Sequence, residues 1–109
     1  MNTAKKNYLR EIMKMAWQFV KRNGFTMSEA MKTAWLNAKV KAAMKERIVK
    51  FYFQKVDGSL REAYGTLKES LLPPTQGAGR KANDSLQTYF DTEKQEYRCF
   101  KRANLVKMA

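Results

Sequence analysis

The chain of 109 residues contains no histidine and a single cysteine, Cys99. Without histidine the common zinc ligand sets cannot be assembled, and acyl-transfer triads lose their usual base. One cysteine forms no internal disulfide, so nothing marks the chain for an oxidising compartment. Set between Arg98 and Phe100 in a β-rich stretch, Cys99 reads as a small buried residue. No apolar run nears the roughly 20 residues of a membrane span. The basic start (Lys5, Lys6, Arg10) leads into a segment crossed by Glu11, Lys14 and Gln18, unlike the unbroken apolar stretch of a secretory signal. A cytoplasmic protein with no membrane contact is expected.

Acids are scarce as well. Asp57 falls in a turn, Glu62 on a strand, and Asp91, Glu93 and Glu96 crowd one hairpin, where solvated carboxylates are the rule. The stretch Gly77-Ala78-Gly79-Arg80-Lys81 lacks the spacing of a phosphate-binding P-loop and does not join a strand to a helix. Neither an enzyme nor a cofactor site is expected.

What the sequence has in excess is positive charge: 22 Lys and Arg against 10 Asp and Glu, a net +12. Residues 1–47 hold 11 basic and 3 acidic residues, a net +8, and the remaining 62 hold 11 and 7, a net +4. Such a field attracts polyanions and raises encounter rates with them.

Two periodicities divide the chain. From Lys5 to Asn23, Tyr8, Leu9, Ile12, Met13, Ala16, Trp17, Phe19 and Val20 recur at helical spacing. Asn23-Gly24 ends that helix, and Thr26-Met27-Ser28-Glu29 has the form of a capping box opening a second helix to about Met44. The string Met13-Lys14-Met15-Ala16-Trp17 returns as Met31-Lys32-Thr33-Ala34-Trp35, and both indoles are expected in core or inter-helix packing. From Ile48 the period becomes two. Strands are predicted at Ile48–Gln54, Ser59–Thr66, Leu86–Asp91, Glu96–Lys101 and Leu105–Met108, with a type I′ turn at Asp57-Gly58 and a loop from Leu67 to Ser85. Five short strands suit a small closed barrel. The expected fold is α+β: a basic two-helix hairpin (1–46) followed by a five-stranded antiparallel β-barrel (47–109).

The stretch Val49 to Val106 carries a family resemblance. Its residues are Lys50-Phe51-Tyr52-Phe53, Asp57-Gly58-Ser59-Leu60-Arg61-Glu62-Ala63-Tyr64-Gly65-Thr66, Leu72-Pro73, Thr88-Tyr89-Phe90-Asp91-Thr92-Glu93-Lys94, Tyr97-Arg98-Cys99-Phe100 and Asn104-Leu105. These strings resemble small WYL-like proteins of gut Bacteroidales and their phages, with an Sm-like, SH3-type β-barrel fold. The resemblance implies kinship with regulatory modules of transcription factors and defence systems that sense nucleic acids or nucleotide-like ligands. It also makes Arg98, in the R-x-F pattern with Phe100, a ligand contact, although the W-Y-L tripeptide itself is absent.

Charge and resemblance together predict a nucleic-acid-binding (DNA or RNA) or regulatory module of phage or mobile-element origin. Phosphate contacts are expected from Lys14, Lys21, Arg22, Lys32, Lys39, Lys41 and Lys45 on the helices and from Arg80 and Lys81 in the loop. Tyr52, Tyr64 and Tyr89 are candidate stacking faces. The alternatives are a protein-interaction module acting on a host or phage protein through Met- and Trp-bearing helices, or a ligand-sensing domain built around Arg98. Self-association fits each of them.

Overall fold

The computed structural model describes residues 3–73 and 85–109. The Gly77–Lys81 segment, with Arg80 and Lys81, lies outside the described residues. Helix α1 (Thr3–Asn23) ends at Gly24, whose φ of +70° is a conformation that favours glycine. Phe25 then folds back: its N–H reaches the Phe19 carbonyl at 3.3 Å and its ring lies 5.6 Å from the Phe19 ring. Helix α2 (Met27–Met44) is capped by Thr26, whose Oγ1 accepts the Glu29 N–H at 3.2 Å. The Glu29 carboxylate closes the box differently from the expected pattern, accepting the Thr26 hydroxyl at 2.9 Å.

The helices meet through small residues. Ala16 on α1 and Ala30 and Ala34 on α2 are wholly buried in one cluster with Ile12 and Phe19. These alanines occupy the centre of the helix–helix contact. Trp17 (50% exposed) and Trp35 (43% exposed), each one residue beyond a buried alanine, are turned toward solvent. Neither indole enters the core, which corrects that half of the expectation, while the edge-on contact of Trp35 with Tyr8 of α1, 6.2 Å between ring centroids, is the inter-helix packing it allowed for.

Five strands follow: β1 (Val49–Gln54), β2 (Leu60–Thr66), β3 (Leu86–Asp91), β4 (Glu96–Lys101) and β5 (Leu105–Met108). They form one antiparallel sheet in the order β4-β3-β2-β1-β5. On a flat sheet β1 and β4 would lie three strand spacings apart, about 14 Å. Yet the Phe53 and Phe100 rings stack at 5.5 Å, and Phe51 lies 5.2 Å from Phe100. The sheet is therefore rolled, with the two end strands brought round to a shared core and joined by the 3-10 turn Arg102–Asn104. The roll requires Gly65: a Cβ there would stand 2.5 Å from Tyr89 Cδ2.

The β1–β2 turn differs from the expected type I′. Only Gly58 has positive φ, at +89°. Gly58 N–H bonds the Lys55 carbonyl at 2.9 Å and Lys55 N–H the Ser59 carbonyl at 2.8 Å, a type I turn followed by a left-handed glycine. Asp57 keeps ordinary φ because its carboxylate caps the turn, accepting the Ser59 N–H (2.9 Å) and hydroxyl (2.6 Å).

Helix α2 belongs to both packing regions. Its first half meets α1 through Ala30, Ala34 and Ala38, while Val40 and Met44 are buried with Phe51, Tyr89 and Phe100 of the sheet. Thr66 fastens its end. The Thr66 hydroxyl lies 3.0 Å from the carbonyl oxygens of both Met44 and Arg47, and Leu67 N–H donates to Met44 at 2.8 Å.

Candidate anion-binding surface

The repeated helical string acquires a structural meaning once the alanines are buried. Residues three and four apart share a helix face. Trp17 is thus flanked by Lys14 and Lys21, and Trp35 by Lys32 and Lys39, giving each helix a half-exposed indole between two exposed lysines. None of these four lysines forms a salt bridge among the described residues, whereas the barrel's ion pairs are internal.

The other predicted cations divide. Lys41 and Lys45, a turn apart on α2, line one cleft of about 580 Å³ between the helices and the barrel. Arg102, from the turn after β4, joins them there. Burial lowers the Lys41 ammonium from its ordinary value, and the charges of Lys45 and Arg102 push it the same way. Sequence reasoning missed Arg102, because only the return of the chain under α2 brings it to the lysines. Arg22 lies apart, beside a shallow hollow shared with Gln18, Ser85 and Lys101.

Arg98 sits on β4 opposite Tyr89, near the turn that joins β3 to β4 and beside the buried carboxylate of Asp91. Its Nη2 lies 2.6 Å from Glu96 Oε1 and its Nε 3.8 Å from Asp91 Oδ2. Arg61 approaches the same Asp91 oxygen at 3.5 Å, and Asp91 Oδ1 accepts the N–H groups of Glu93 and Lys94 at 3.0 Å each. The hydrogen bond to Glu96 raises the Arg98 guanidinium above its ordinary value. Tyr89, beneath this cluster, has a buried hydroxyl without a hydrogen-bond partner, and burial pushes the phenol up. Arg98 is therefore held by two carboxylates rather than left facing solvent.

The tyrosines also separate. Tyr89 is wholly inside the barrel, which corrects its reading as a stacking face. Tyr52 and Tyr64 are half-buried on the outer face, with Lys107 Nζ 4.8 Å from the Tyr52 ring and Lys50 Nζ within 5.8 Å of both rings. Cys99, expected to be buried, is exposed. It alternates with Phe100, and Phe100 takes the inward position.

Among the described residues no group of His, Cys, Asp and Glu side chains is placed to hold a metal ion. No helix among them is long and apolar enough to cross a membrane. Residues 37–106 match the family model described as WYL_2, Sm-like SH3 beta-barrel fold. The match begins within α2, where that helix turns from α1 toward the barrel. No curated protein and no solved structure matches the chain.

Proposed function

From the premise that the chain belongs to the WYL_2 family, with its Sm-like SH3 β-barrel, we propose that it is a cytoplasmic, non-enzymatic regulatory module that binds nucleic acid through its helices. One observation carries the reading: a half-exposed indole between two lysines that form no salt bridge among the described residues is displayed on both helices by closely similar strings. Lysines neutralise phosphates and release their counterions. Indole faces stack on unpaired bases, each worth about 1–3 kcal/mol. The pairing of the two chemistries favours single strands, whose bases are open, over a duplex groove.

Four phosphate contacts, at Lys14, Lys21, Lys32 and Lys39, give a salt slope of about −2.8 for single strands. Affinity then falls roughly fifty-fold between 50 and 200 mM salt. Fluorescence titration with single-stranded DNA and RNA at low salt tests this, with Trp17 and Trp35 as the reporters. Quenching that weakens along that slope, and vanishes in the Lys14→Gln, Lys21→Gln, Lys32→Gln, Lys39→Gln variant, supports the reading. No quenching and no mobility shift at micromolar protein rejects it.

A second reading rests on the unpartnered Tyr89 hydroxyl below Arg61, Asp91 and Arg98. Ligand sensing at that end of the barrel would use Arg98 once an anion displaced Glu96. Thermal stabilisation by an anionic ligand that is lost in Arg98→Lys supports it; stabilisation that survives the substitution points elsewhere.

A further inference from the structure

The cleft between α1, α2 and the barrel carries chemistry that the exposed helical lysines do not explain. Its volume of about 580 Å³ falls within the roughly 300–1,000 Å³ of small-molecule sites. Three cations stand on its wall: Lys41, Lys45 and Arg102. Asn37 lies among them, 5% exposed, its Oδ1 buried without any hydrogen-bond donor. The orientation of that amide is fixed, because Nδ2 donates to two carbonyls, Thr33 and Arg102, both at 2.8 Å. Turning the amide over would set an oxygen against two oxygens. Asn37 thus ties α2 to the turn after β4 and fixes Arg102 on the cleft wall.

The remaining wall is of a different kind. Tyr8, Ile12, Met15 and Ala38 offer an apolar surface long enough for a flat ring system. Two carboxylates, Glu11 and Glu46, stand on the same wall and can accept from hydroxyl or amino groups. Lys45 and Arg102 act on Lys41 more strongly than Glu11 does, so the field at Lys41 is positive despite those acids.

We propose that this cleft binds a nucleotide-sized organic phosphate, with Lys41, Lys45 and Arg102 on the phosphate and the organic part lying on Tyr8, Ile12 and Met15. The cleft borders the helical surface, since Tyr8 on its wall meets the Trp35 ring at 6.2 Å, but Trp17, Trp35 and Arg98 are not among its lining residues. Bringing an anion to three mutually repelling cations, one of them partly desolvated, relieves repulsion that the empty cleft retains.

Isothermal titration of the full chain with adenosine monophosphate, adenosine and inorganic phosphate tests the assignment. The monophosphate binds with a dissociation constant on the order of 1 mM or tighter, and each partial probe binds at least about tenfold more weakly, lacking one half of the recognition. Lys41→Gln and Lys45→Gln, both at exposed positions that tolerate substitution, each weaken the monophosphate at least fivefold. Arg102→Lys, which keeps the charge and loses the planar guanidinium, does the same. Lys32→Gln, Lys39→Gln and Arg98→Lys leave binding within about twofold, since none of the three lines the cleft. The inference is overturned by the absence of binding with all three probes. It is equally overturned by binding that ignores Lys41→Gln and Lys45→Gln, or by inorganic phosphate binding as well as the nucleotide. Weakened oligonucleotide binding in the Lys32→Gln, Lys39→Gln variant, with monophosphate binding intact, separates this site from the helical surface.

Discussion

Replacing Thr66 with valine tests how the helices are fastened to the barrel. The two side chains are nearly the same shape, so Thr66→Val changes chemistry and hardly changes packing. Thr66 is wholly buried; its hydroxyl lies 3.0 Å from the Met44 and Arg47 carbonyl oxygens and accepts the Lys68 N–H at 3.1 Å. Met44 keeps a partner in the variant, since Leu67 N–H still reaches it at 2.8 Å. The Arg47 carbonyl and the Lys68 N–H lose theirs. At about 1 kcal/mol for each hydrogen bond lost, and somewhat more where the partner stays buried, the cost is about 2–3 kcal/mol. For a chain of this size that lowers Tm by roughly 10–20 °C. Urea unfolding followed by tryptophan fluorescence and far-ultraviolet circular dichroism measures it. Both indoles are on the helices, so coincident transitions would also show that helices and barrel unfold together. Thr66→Ser, which keeps the hydroxyl, should retain more of the stability than Thr66→Val. A loss below about 0.5 kcal/mol in Thr66→Val, or a serine variant weaker than the valine one, would refute the assignment of the hydroxyl as the fastening group.

Gly65→Ala should destabilise by about 1–3 kcal/mol or more, because its Cβ would meet Tyr89 Cδ2 at 2.5 Å and Phe51 Cε1 at 3.1 Å, both on wholly buried rings; an unchanged urea midpoint contradicts the close approach. The hydrogen bonds from the Ser59 hydroxyl and N–H hold the Asp57 carboxyl below its unfolded value of 3.8. A depressed folded pKa contributes stability above the unfolded value and loses it as pH falls through the folded one. Asp57→Asn should therefore flatten the acid side of the stability curve below about pH 4, and wild-type and variant curves that run parallel there deny it. Cys99, being exposed, should react with a thiol reagent in the native protein as fast as an unprotected thiol, and labelling that requires denaturant contradicts its outward position.

Local signals carried much of the fold. Gly24 and Thr26 mark the helix break because they act within one turn of chain, and the change of period at Ile48 marks the start of the sheet. The features misread depend on distant partners. Trp17 and Trp35 sit on the expected apolar stripes, but Ala16, Ala30 and Ala34 take the buried positions between the helices, leaving Trp17 half-exposed and Trp35 at the rim against Tyr8. Cys99 fits either face of a strand, and Phe100 decides which by entering the core. Asp57 looked ready for positive φ until its carboxylate found Ser59. The candidate site divides in the same way. Lys14, Lys21, Lys32 and Lys39 are readable from helical spacing alone. Arg102 is 61 positions from Lys41 along the chain, and no periodicity links it to the cleft. Asn37, at a helical position of α2, gives no sign in sequence that its amide spans from Thr33 to Arg102.

The two parts of the molecule also treat charge differently, and that difference bears on function. In the barrel, Lys50 faces Glu62, Arg61 faces Asp91, and Arg98 lies between Asp91 and Glu96. On the helices, Lys14, Lys21, Lys32, Lys39 and Lys45 have no such partner among the described residues. Solubility alone would be served by mixed signs, because interspersed acids keep the surface hydrated without mutual repulsion. A helical pair carrying a surplus of one sign is destabilised by its own field. That field is relieved when an anion arrives, so the charge that weakens the free protein strengthens the complex. Exchanging Lys14, Lys21, Lys32 and Lys39 for glutamine should therefore raise the urea midpoint of the free protein at low salt while removing nucleic-acid affinity. The gain should shrink as salt screens the repulsion over a Debye length of about 10 Å at 0.1 M. Should the variant lose stability at low salt instead, the lysines serve the fold, and the case for an anionic partner on these helices falls with it.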